Sequence, residues 1–133
     1  MTTQIFDPLA LCLIRVAKDY EVSITQEGLL SGLPLPNGLL IPSFVARAAD
    51  RISLTSSMVQ QGLTQLNHFV LPAILLLKNN TACVLYRIDH EQQLATVYFP
   101  ELADTVKQIP IAELQAQYVG SVIYLQQRQF IVD

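Results

Sequence analysis

Residues 71–89 read LPAILLLKNNTACVLYRID. An apolar run of strand length ends at Lys78, Asn79 and Asn80, and a second run rich in Val, Leu and Tyr follows to Asp89. Two strands joined by a polar turn are the expectation. C-terminal to them, Leu94 to Phe99 repeats the pattern after a second polar break at His90, Glu91 and Gln92. Helical spacing returns from Ile111 to Tyr118, and Gly120 to Gln126 reads as a last strand. On the other side, Leu54 to Gln60 alternates weakly and is a further strand candidate.

The first half has a different period. Leu9, Leu13, Val16 and Ala17 recur at helical spacing, with Asp7 as N-cap and Pro8 in the first turn, where its missing N–H costs nothing. That helix is expected over 8–19. A second is expected over 25–31, stopped by Gly32 and Pro34, and a third over 43–51, burying Phe44, Val45 and Ala48. Between the last two, GLPLPNGLLIP at 32–42 holds three prolines and two glycines and reads as a loop pinned by its leucines. Helices first and an antiparallel sheet second define the α+β class. The 133 residues are expected to form one domain, 51% hydrophobic and 14% charged.

The net charge of −3, with no Lys/Arg cluster, argues against a nucleic-acid partner. The longest apolar stretch, Phe69 to Leu77, is broken by Pro72 and is far short of the roughly 20 residues of a membrane helix. The N-terminus MTTQIFDPLA lacks the pattern of a secretory signal. The two cysteines, Cys12 and Cys83, fit neither a metal site nor a disulfide framework and read as small buried hydrophobes. His68 and His90 have no partner at a spacing that builds a metal site or a catalytic dyad, so no metal and no cofactor are expected in this domain.

Several short strings, taken in order, resemble the papain-like peptidase domain at the N-terminus of bacteriocin-processing ATP-binding-cassette exporters. In that family an Asp-Cys-Gly-x-x-Cys-Leu string opens the first helix and supplies the nucleophile. The matching residues are Asp7, Pro8, Leu9, Ala10, Leu11, Cys12 and Leu13, with Pro8 at the nucleophile's place. The family's Asn-His-Phe-Val-Val-Leu strand aligns with Asn80 to Leu85, so Thr81 replaces the general base. The orienting Asp of an Asp-Pro pair becomes Phe99, before Pro100. The oxyanion glutamine falls on Thr2, with Gln4 displaced by two positions. Nucleophile, base and orienter act as a unit, so the resemblance implies a papain-like fold without a catalytic site.

The strings at 32–35 and 75–85 are most similar to the degenerate domains of type I secretion exporters for RTX toxins and large adhesins, and to the adhesin branch among them. That resemblance implies an excised N-terminal part of a longer exporter, at the cytoplasmic face of the inner membrane. There it would dock unfolded cargo beside membrane-spanning and nucleotide-binding domains, with ATP used by the latter. Tyr86, Tyr98 and Phe99 are candidate contacts for the cargo, although strand alternation bars Tyr98 and Phe99 from sharing one face. Two alternatives carry different expectations. One is an assembly role without cargo binding; the other is a thiol peptidase using Cys12 or Cys83.

Overall fold

The computed structural model describes residues 6–66, 70–102 and 105–127. Thr2, Gln4 and His68 lie outside the described residues. Helix α1 spans Pro8–Asp19, and Leu9, Leu13, Val16 and Ala17 are all buried on one stripe of it. Asp7 caps its N-terminus by accepting from the Ala10 N–H at 3.1 Å, and Tyr20 ends it. Helix α2 spans Gln26–Leu30, one residue inside the expected start, because Thr25 serves as cap by accepting from the Gly28 N–H. The third helical segment begins as a 3-10 turn at Pro42–Phe44 and continues as α3, Val45–Asp50. Val45 and Ala48 are buried as expected; Phe44 is half-buried, with the Arg47 guanidinium 5.5 Å from its ring centre.

Six antiparallel strands follow: β1 Leu54–Gln60, β2 Ala73–Leu77, β3 Thr81–Asp89, β4 Leu94–Tyr98, β5 Lys107–Pro110 and β6 Tyr118–Gln127. They form one sheet in the order β1-β6-β2-β3-β4-β5. Helix α4, Ile111–Gln117, runs directly into β6. The chain therefore has the α+β organisation.

Strand alternation divides the interior into two cores. On one face, Ala82 and Val84 of β3, Ile74 of β2 and Ile123 and Leu125 of β6 meet α1, α2 and α3. On the other, Cys83 and Leu85, Leu75 and Leu77, Val97 and Val122 pack with Leu114 of α4 and with Leu63 and Leu66 from the β1–β2 connection. Each fully buried leucine contributes about 1.5–3 kcal/mol relative to exposure. The sheet is the shared wall, which holds the N-terminus of α1 over the β2–β3 turn.

Candidate functional site

The resemblance implies one site for positions 8 and 81. Pro8 and Thr81 are both lining residues of a cavity of about 450 Å³. Leu9, Leu40, Leu76 and Val119 supply much of its apolar wall, and among its lining residues there is no Cys, His, Asp or Glu. Pro8 sits in the first turn of α1, where a helix N-terminus would otherwise polarise a nucleophilic side chain. Proline offers no group that attacks a carbonyl. Thr81 starts β3, and its Oγ1 donates to the Lys78 carbonyl at 2.8 Å, so it is engaged within its own turn. Asn79 and Asn80 hold φ of 63° and 57° in that turn, a left-handed conformation that asparagine tolerates better than most residues.

Asp7 positions this site in a way the sequence did not disclose. Its side chain is buried, with 1% exposed. One oxygen caps α1, and the other accepts from the Leu40 N–H at 2.7 Å. A single carboxylate thus ties the start of α1 to the proline-rich loop, two walls of the same cavity. The capping half was readable from Asp7 preceding Pro8. The loop half was not, because it joins residues 33 apart.

Phe99 stands elsewhere. It is 6% exposed in the core beyond the sheet, beside Cys83 and Val97, and does not line the cavity. Tyr98 faces the opposite way, into the helical core, as alternation requires. Arg15 of α1 lies between Tyr98 and Tyr86, 5.0 Å and 6.0 Å from their ring centres. Its Nε donates to the Tyr86 hydroxyl at 3.1 Å, and that hydroxyl donates to Asp19. Burial and the Asp19 bond raise the Tyr86 pKa, so it stays a neutral donor. The three aromatic residues proposed from sequence as cargo contacts therefore do not form one surface. Tyr98 and Phe99 are packed on opposite faces, and only Tyr86 is half-exposed.

Both cysteines are fully buried and unbridged. Burial pushes the Cys12 thiol well up, and the nearby Cys83, Glu101 and Asp7 add to the effect. Burial raises Cys83 too, with Glu101 contributing. A reactive cysteine needs the opposite, a stabilised thiolate with access to substrate. His90 lies in the β3–β4 turn, where its carbonyl accepts from the Gln93 side chain. Among the described residues, no group of three or more His, Cys, Asp and Glu could hold a metal, and no helix is long and apolar enough to cross a membrane.

With this geometry in hand, the comparisons are specific. Residues 3–129 match the model of the Peptidase C39 family. The N-terminal peptidase C39-like domain of the toxin secretion ATP-binding protein from Vibrio parahaemolyticus is 34% identical, with a TM-score of 0.90 over 94% of this chain and 100% of that one. The peptidase domain of Streptococcus ComA, a bifunctional ABC transporter of a quorum-sensing pathway, shares the fold at 18% identity. Its TM-score is 0.80, over 96% of this chain and 97% of that one. A double glycine motif protease from an AMS/PCAT transporter, solved with its leader peptide, shares the fold at 17% identity. There the TM-score is 0.76, over 96% of this chain and 89% of that one. No curated protein matches the sequence.

Proposed function

The chain belongs to the Peptidase C39 family, and we propose that it is a catalytically inactive member that docks unfolded cargo for a type I secretion ATP-binding-cassette exporter. The observation that carries this reading is the cavity that Pro8 and Thr81 both line. It is concave and largely apolar, as a peptide-binding cleft is, while its lining holds no Cys, His, Asp or Glu. The buried, raised thiols of Cys12 and Cys83 support the same reading against a relocated nucleophile.

On this reading the domain lies at the cytoplasmic face of the inner membrane, ahead of membrane-spanning and ATP-binding domains of the same exporter. Its cargo is an RTX toxin or a large adhesin. A dock that releases its cargo to a translocation path binds weakly, with a Kd in the micromolar range, about −8 kcal/mol. The cavity wall carries one charged residue, Lys78, so apolar and main-chain contacts dominate and salt has little effect. The test is a titration of the domain with a labelled polypeptide kept unfolded by reduction and alkylation, and with its native form, at low and high salt. Micromolar, salt-insensitive binding of the unfolded form alone is expected. Equal binding of the native form, or none of either, would assign the domain an assembly role instead.

A further inference from the structure

Among the described residues β1 is the last strand of the sheet and pairs only with β6. Its register runs without a shift from Leu54↔Gln127 to Gln60↔Ser121. The next pair is hydrogen-bonded, since the Gln61 N–H donates to the Gly120 carbonyl at 3.0 Å. Hydrogen-bonded pairs recur at every second residue of an antiparallel ladder. Val59, Ser57 and Thr55 therefore bond to β6, and the N–H and C=O groups of Ser56, Met58 and Gln60 point outward.

Such an edge is normally guarded by charge, proline or a bulge. The opposite edge, β5, is short, exposes Lys107 and ends on Pro110. β1 has none of these guards, and the sequence from Ile52 to Leu77 contains no Asp, Glu, Lys or Arg. Met58 stands in the middle of the edge with 54% of its surface exposed. Over β1 and β6 lies a cavity of about 390 Å³ walled by Val70 and by the hydroxyls and amides of Thr55, Ser57, Gln61, Tyr124 and Gln126.

We infer that the outer edge of β1 is a strand-addition site for an extended, uncharged segment of unfolded chain, whose small polar side chains enter the neighbouring cavity. The outward row of donors and acceptors selects an extended backbone. The neutral edge selects a segment without charge, and the cavity, hydroxyls and amides apart from Val70, selects Ser, Thr, Asn or Gln at alternate positions. The inference rests on the docking reading and gives it a binding mode that tolerates varied sequence, because main-chain bonds supply the affinity.

The experiment repeats the titration with the reduced, alkylated polypeptide on the wild type and on Met58→Pro and Met58→Thr. Proline at 58 deletes an outward N–H and leaves the bonds to β6 in place, so the fold is expected to survive. Gln60→Pro deletes the next outward N–H and serves if Met58→Pro does not fold. Met58→Pro should weaken binding by about tenfold, the effect of losing one main-chain bond and the strand alignment it sets. Met58→Thr should bind like the wild type. Undiminished binding by a folded proline variant would overturn the edge assignment and leave the docking reading standing. Failure of the wild type to bind would remove both. A concentration-dependent dimer of the wild type that Met58→Pro dissolves would assign the edge to a second copy of the chain and overturn the inference.

Discussion

Asp7 carries more structure than any other single side chain near the site. Its two oxygens serve different elements, α1 and the loop at Leu40, and neither bond is reachable by water. Asp7→Ala loses the cap and leaves a buried N–H unpaired, for a combined loss of about 2–4 kcal/mol. Chemical denaturation of the variant checks this, and a loss below about 1 kcal/mol would contradict it. The lesson at Pro8 and Thr81 is different. Pro8 offers no side-chain group that attacks a carbonyl, and the Thr81 hydroxyl is spent on its own turn.

At the scale of elements, the three N-terminal helices were legible from helical spacing and the strands from 73 to 98 from apolar runs between polar breaks, while β1 alternates only weakly. Strand β5 was not legible. Of Lys107–Pro110 only Ile109 is buried, so an edge strand of this length leaves one apolar residue as its whole signal. The join of α4 to β6 at Tyr118 was also hidden, since no glycine or proline separates them and the strand simply begins where the helix stops. The tyrosine itself is held by its hydroxyl donating to the Gln61 carbonyl at 2.6 Å, and burial pushes its pKa up to about 12. Of the site, the presence of positions 8 and 81 in one cavity was legible only through family resemblance, because nothing local links two residues so far apart. The glycine early in β6 has a testable cost. Gly120 holds φ at +98°, yet a Cβ there would meet nothing within 4 Å. Gly120→Ala should destabilise the domain by about 1–2 kcal/mol through backbone strain alone. A neutral or stabilising effect in thermal unfolding would show that the strand relaxes instead.

For the whole molecule, a single sheet carries a core on each face. The helical core and the second core both close without any contribution from Pro8 or Thr81, so the cleft is free to change its chemistry while the fold stays. Phe99 is a buried ring in the second core, together with Cys83 and Val97. Cys83 is buried in that core and Cys12 in the helical one, so neither thiol is exposed to substrate. The most direct measurement is incubation of the domain with a double-glycine leader peptide, followed by mass spectrometry with and without a thiol-alkylating reagent. The peptide should remain intact under both conditions. Cleavage that the alkylating reagent abolishes, and that disappears in Cys83→Ser or Cys12→Ser, would contradict the account.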